Sequence, residues 1–360
     1  MVGSEGGARA GDRGEAGVTR TKEPRDRTLG GRERASRDSA SAPAGVARPP
    51  SWRRLVRKVC AFLAVNAILL ASLLLLGNKV GEAQQRASAD DTSVVERIGT
   101  DRRYDYLILG PSHAYSFLWG GNQEYTEAAL GGSVMNIGVN AAGPYVEDVY
   151  LKYFLSKGNS ADVAIYFAHP FSFFAAKWND DNRFVGREPL DEELFRILRD
   201  QGLNTEMLFF YAQSKLNPVW LLGEREVVDV TARVRTGDSE RAASAHQTLY
   251  TNGVDPAALE RYWPDFEASV ERLRQAGTRV LIVVPPTLIE PEGLDLVLPR
   301  YERLAAEDGV ALLDLSSVDL GGDYYQDYAH LNRSGVVRLL EEYVGPAVAS
   351  LRTEPAVGSS

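Results

Sequence analysis

Two hydrophobic periods alternate along the chain, and the switch between them marks the elements. Short apolar runs at 104–109, 134–139, 163–168, 279–284 and 310–315 read as strands. Between them, apolar residues recur every three or four positions. The segment 143–156 carries Val146, Val149, Tyr150 and Tyr153 and stops at Gly158. The segment 256–276 starts behind Asp255, a good N-cap, and stops at Gly277. The segment from Arg333 sets Val336, Leu339, Leu340, Tyr343 and Val344 on one helical face. Segments 190–198, 207–222 and 298–306 also read as helices. Strands that are apolar throughout and separated by amphipathic helices imply a parallel sheet covered on both faces. The pattern predicts one α/β domain of five parallel strands over 104–351, with an insertion of helices or loops around 170–250.

Ahead of this domain lies an unbroken apolar run at 59–76, interrupted only by Asn66 and Ser72. As a helix it spans ~27 Å, close to the hydrocarbon thickness of a bilayer. Arg53, Arg54, Arg57 and Lys58 precede it and only Lys79 follows closely. That asymmetry puts the N-terminus in the cytoplasm and the main domain outside, on a single-pass anchor in the cell membrane. The organisation predicted is a disordered cytoplasmic tail (1–52), a transmembrane anchor (53–79), a stalk (80–103), the α/β domain (104–351) and a disordered C-terminus (352–360). The competing reading is a signal peptide cleaved near Gly81-Glu82-Ala83. An apolar run beyond the usual ~7–15 residues and a long leading segment favour the uncleaved anchor. Cys60 near the cytoplasmic end is a lipidation candidate or, by default, a small buried residue.

Charge sharpens this division. The net charge is −9, but residues 1–80 hold 15 Lys and Arg against 7 Asp and Glu, and the rest hold 25 against 42. An acidic body lacks the clustered cations that phosphate neutralisation needs, so nucleic acid is not expected as a partner. One cysteine and four histidines leave no cysteine-based zinc site and little for a multi-metal centre. No metal or cofactor is expected.

In a parallel α/β sheet, ligands bind at the carboxyl ends of the strands. After the first strand comes Gly110-Pro111-Ser112-His113. Ser112 is placed there either as a nucleophile or as a helix cap. After the fifth strand, Asp327 and His330 are spaced so that a carboxylate can hold one imidazole nitrogen while the other faces the site. The plain alternative is an exposed turn with Asn332 or Ser334 capping the last helix.

The segments Leu107-Ile-Leu-Gly-Pro-Ser112-His and Asp327-Tyr-Ala-His330-Leu-Asn-Arg-Ser-Gly335 resemble the first and last blocks of the SGNH (GDSL-like) hydrolase superfamily. The resemblance covers about residues 104–345. With the anchor, the chain looks closest to the cell-envelope branch that includes the lipoteichoic-acid D-alanylation and alginate O-acetylation proteins. It implies a flavodoxin-like three-layer α/β/α fold and a triad of Ser112 (nucleophile), His330 (base) and Asp327 (orienting acid). The second family block resembles Asn136-Ile-Gly-Val-Asn-Ala-Ala-Gly143, with the oxyanion glycine falling on Ala141, just after Asn140. The third block normally supplies an asparagine, but here Phe167-Ala-His169-Pro170-Phe171 has none. His169 is then either a substitute donor or a histidine bonded to backbone. His113 reads as structural, and the aromatics Phe171, Phe173, Phe174, Trp178, Tyr324, Tyr325 and Tyr328 as core or as a surface for sugar rings and acyl chains.

These implications make the leading expectation an extracytoplasmic serine esterase or O-acyltransferase. Its partners would be an acylated glycan or acyl donor and a membrane O-acyltransferase. The alternative is a glycan-binding or scaffold subunit with a weak or silent triad. A nucleotide-binding flavodoxin-like role is disfavoured, because Pro111 lacks the N–H a phosphate would need.

Overall fold

The computed structural model describes residues 52–86, 93–180, 182–202, 204–216, 230–234, 238–251 and 253–353. Two compact units are distinguished, residues 1–58 and residues 59–360. The expected tail (1–52) lies outside the described residues except for Trp52, which opens a helix, and the expected disordered C-terminus (352–360) lies outside them except for Arg352 and Thr353, which end one and so correct that expectation there. Helix α1 (Trp52–Arg86) carries the apolar run; its stretch Trp52–Val80 is long and apolar enough to cross a membrane, with a mean hydropathy of 2.6 over its most apolar 18 residues. Cys60 is a free cysteine on the surface of this helix.

The expected stalk at 80–103 is only partly a stalk. α1 continues to Arg86, and the short helix α2 (Val94–Arg97) is tied into the domain. Val94, Val95 and Ile98 are core residues, and the buried Glu188 carboxylate accepts hydrogen bonds from the Ser93 hydroxyl and from the Val94 and Val95 amides.

The sheet is five-stranded and all parallel: β1 (Arg103–Leu109), β2 (Val134–Asn136), β3 (Ser160–Phe167), β4 (Arg279–Val284) and β5 (Val310–Asp314). Its order is β2-β1-β3-β4-β5, with Leu107 opposite both Met135 and Ala164 and Leu281 opposite both Ile165 and Ala311. This is the flavodoxin-like order, with its switch point between β1 and β3. Strand residues alternate between two cores. Leu107, Leu109, Ala164, Tyr166 and Ile282 face one, and Tyr106, Ile108, Val163, Ile165, Phe167 and Val283 the other. Burial on both faces is why the strands read as unbroken apolar runs.

One face is covered by α5 (Pro144–Ser156), α11 (Pro256–Gln275) and α12 (Leu294–Ala305), the other by α4 (Asn122–Leu130), α13 (Arg333–Leu339) and α14 (Gly345–Thr353). Between β1 and α4 comes a single turn, α3 (Ser112–Tyr115). The described part of 170–250 is helical: α6 (Phe171–Phe174), α7 (Ala176–Asn179), α8 (Glu192–Asp200), α9 (Thr205–Leu216) and α10 (Ser239–Leu249). Helix α9 ends at Leu216, and the rest of the 207–222 expectation lies outside the described residues. Of the aromatics, Phe171, Phe173, Phe174 and Tyr325 are fully buried and Tyr328 is buried, while Trp178 and Tyr324 are partly exposed; Phe173 packs with Trp263, Phe266 and Tyr301.

Candidate active site

Gly110 turns the chain off β1 at φ +132°, and a Cβ there would collide with the Phe167 carbonyl of β3. Only glycine lets the two strand ends approach so closely. Pro111 follows, its carbonyl accepts from the Ala114 amide at 2.9 Å, and Ser112 opens α3, 6% exposed.

The loop after β5 folds back onto this point. Asp327 Oδ1 accepts from the backbone N–H groups of Ala329 and His330, each at 2.8 Å, a local turn that holds the carboxylate beside the imidazole. His330 Nδ1 lies 2.8 Å from Asp327 Oδ2, and its Nε2 lies 2.7 Å from Ser112 Oγ. The carboxylate accepts a hydrogen bond from Nδ1–H, leaving Nε2 free to accept from the serine hydroxyl. Burial pushes the Asp327 carboxyl up, but the hydrogen bond and charge of His330 with the two amides outweigh it and hold the group below its usual range. Asn332 pins the loop, donating to Ala232 O (2.9 Å) and Asp323 O (2.8 Å) while capping α13 through Gly335 N (3.0 Å).

Two further histidines stand behind this chain of hydrogen bonds. The His113 ring lies 5.4 Å from that of His330 and 5.0 Å from that of His169. His169, at the end of β3, accepts the Phe171 amide on Nδ1 at 3.3 Å, so its proton sits on Nε2, which is buried and has no hydrogen-bond partner among the described residues. Burial, then the charge of His330, pulls the His169 pKa down to about 3. Burial, then the charges of His169 and His330, holds that of His113 well below its ordinary value. Both rings are therefore neutral at pH 7. Trp119 stands edge-on to His330 at 5.6 Å, a neighbour that no periodicity or motif in the sequence signals.

Asn140 and Ala141 lie in the exposed loop after β2, which runs beside β1 through Val139 N to Gly110 O (3.1 Å). Among the described residues no hydrogen bond joins either to Ser112. Ala141 has φ +57°, the left-handed region that favours glycine, so the alanine keeps a glycine-like backbone. Among the described residues, no group of three or more His, Cys, Asp or Glu side chains could hold a metal ion. A groove of 580 Å³ at the ends of β4 and β5 is lined by Thr287, Glu290, Asp295 and Ser316 among others, but not by Ser112 or His330.

No family model matches the chain, and no curated protein matches its sequence. Among solved structures it is similar to a crystal structure from Bacteroides fragilis NCTC 9343, provisionally assigned as an acylhydrolase. The TM-score is 0.39 and the identity 10%, over 72% of this chain and 93% of that one. So slight a likeness says nothing of chemistry.

Proposed function

We propose that the chain is a membrane-tethered serine esterase or O-acyltransferase of SGNH type, acting outside the membrane on acylated cell-envelope or secreted polysaccharide. The observation that carries this reading is the continuous chain Ser112 Oγ, His330 Nε2, His330 Nδ1, Asp327 Oδ2, with links of 2.7 and 2.8 Å. Residues this far apart in sequence rarely meet in such an order without a chemical reason. Tethering is supported by α1 and the cations that precede it.

In this mechanism Ser112 Oγ attacks the ester carbonyl carbon as its proton passes to His330 Nε2. Asp327 supports the imidazolium. The intermediate collapses, His330 returns the proton to the leaving alcohol, and an acyl-serine remains. Water or a sugar hydroxyl then attacks, with His330 again the base, and frees Ser112. The oxyanion is met by the Ser112 and Ala141 amides, and His169 Nε2–H takes the place of the absent asparagine. A neutral donor that is already dehydrated needs no reorganisation as charge develops. A membrane O-acyltransferase supplying the acyl group from the other side is the partner this reading calls for.

The test is acetate release from an aryl acetate and from acetylated polysaccharide by the full chain in detergent. Turnover that vanishes in Ser112→Ala supports the proposal. Inactivity of the wild type on both, with polysaccharide binding retained, supports the scaffold role instead.

A further inference from the structure

Helix α9 is apolar on its outer side as well as on its inner one. Its buried side carries Met207, Tyr211, Ser214 and Lys215, and the Lys215 ammonium donates to the carbonyls of Gly186 (3.3 Å) and Glu188. Its outer side carries Leu208, Phe209 and Leu216, which are 41%, 61% and 47% exposed, with Ala212 between them. These four positions fall on one stripe of the helix. A helix on a water-bathed domain is polar on its outward side, so this outer apolar stripe departs from the pattern. Leu190 and Phe195 are also exposed.

The place where this surface lies indicates what covers it. The C-terminal part of α1 is packed against the last turn of α9. Gly77 is buried, and a Cβ there would collide with the Lys215 backbone carbonyl. Asn78 is also buried, its Oδ1 accepting from the Leu190 amide at 2.7 Å. Leu73, Leu75 and Leu76, one turn earlier, are exposed. At ~1.5 Å per residue, Leu73 lies only ~6 Å along the helix from Gly77. If Leu73 is in lipid, the last turn of α9 is at the depth where interfacial helices bury their apolar faces, ~5–10 Å into the boundary of headgroups and acyl chains.

We infer that α9 is a second membrane contact: it lies in the outer surface of the bilayer with Leu208, Phe209, Ala212 and Leu216 among the acyl chains. This rests on the reading of α1 as a membrane anchor. The domain is then held at two places, by the spanning helix and by a helix lying flat beside it, and cannot swivel freely on its tether.

The test places a nitroxide at Phe209→Cys or Leu216→Cys in a Cys60→Ser background, on the full chain in vesicles of equimolar phosphatidylcholine and phosphatidylglycerol. Collision with oxygen, enriched among acyl chains, is compared with collision with an aqueous nickel chelate. Leu69→Cys serves as the spanning reference and Ser350→Cys as the aqueous one. Labels at 209 and 216 with an oxygen-to-nickel ratio several-fold above that at 350 support the inference. Ratios at 209 and 216 like that at 350, with 69 in lipid, overturn it and leave the anchor standing. Shielding of 209 and 216 from both reagents also overturns it, in favour of a second copy or a protein partner. An aqueous reading at 69 removes the anchor and this inference together.

Discussion

The imidazoles of His113 and His169 lie face to face, 5.0 Å between centroids and 9° between planes. Both are buried and both have their pKa lowered, that of His169 to about 3. In the unfolded chain each titrates near ~6.5. Their contribution to stability is therefore complete above that pH and is lost as pH falls toward 3. Each tenfold loss of proton affinity on folding corresponds to ~1.4 kcal/mol, so His169 alone makes acid destabilisation a matter of several kcal/mol. The urea midpoint should fall from pH 6.5 toward pH 4 in the wild type and fall less in His169→Asn. Parallel curves for the two proteins would count against this assignment.

The hydrogen-bond chain through Ser112 makes a graded prediction for ester turnover. Ser112→Ala and His330→Ala should each abolish it. Asp327→Asn should keep the Oδ1 turn to the Ala329 and His330 amides but present an N–H to Nδ1, forcing the wrong tautomer. A loss of up to ~10⁴-fold in kcat is expected. Steady-state rates of the three variants in the full chain check this, and comparable rates in Ser112→Ala and wild type would sink it.

His169 makes a more discriminating one. If its Nε2–H meets the oxyanion, His169→Ala should lower kcat by ~10²–10³-fold with little change in KM, the mark of an interaction made only in the transition state. An unchanged kcat leaves the ring as packing beneath His113.

How much of this was legible in the chain depends on distance along it. The five strands announce themselves because both of their faces are buried, so each is an apolar run in its own right. Asp327 and His330 could be paired from sequence because a three-residue turn brings them together. That Ser112 completes the set needed the family-like blocks at both ends, since local pattern cannot show a contact across the sheet. The histidine stack escaped because His113 and His169 sit on different strand ends and meet only through the β1–β3 register. Within 170–250 the helices at 190–198 and 207–216 were legible from their period, but α9 is apolar on its outer side as well as on the buried side of Met207, Phe210 and Tyr211, so its pattern alone does not single out a buried face. Val94, Val95 and Ile98 are three apolar residues in a charged stretch, too few to show a period.

Beneath the sheet, Glu147 is buried and accepts from the Tyr166 hydroxyl at 2.7 Å. Burial pushes its pKa up to about 8, with the Tyr166 hydrogen bond opposing, so it is neutral at pH 7. An acid raised in the folded state is most favourable to folding below its unfolded pKa, ~4.3, and that contribution is lost as pH rises toward 8. Glu147→Gln should therefore raise the melting temperature at pH 8 and leave it nearly unchanged at pH 4.5. An equal effect at both values would mean that the carboxyl is ionised throughout.

Ala141 carries backbone strain that its side chain sets. At φ +57° an L-residue with a Cβ sits roughly 1 kcal/mol or more above its relaxed state. Ala141→Gly should be close to neutral, relief of strain being offset by the entropy of the freer unfolded chain. Ala141→Val, stiffer and β-branched, should lose ~1–3 kcal/mol. Urea unfolding of the two variants decides it, and a harmless valine would show that the loop relaxes out of the left-handed region.

Ser112 and His330 are 218 residues apart. A ribosome adding ~5–20 residues per second needs roughly 10–45 s to travel from one to the other. During that interval the hydroxyl is without its base and is chemically no more than an ordinary alcohol. Asp327 and His330 then arrive almost together, because three residues separate them, and α13 follows at once to lock their loop. The chemistry is thus timed by the order of synthesis: a chain still being made and delivered carries no reactive alkoxide. The hydrogen-bonded set would come into being in one late step rather than by degrees.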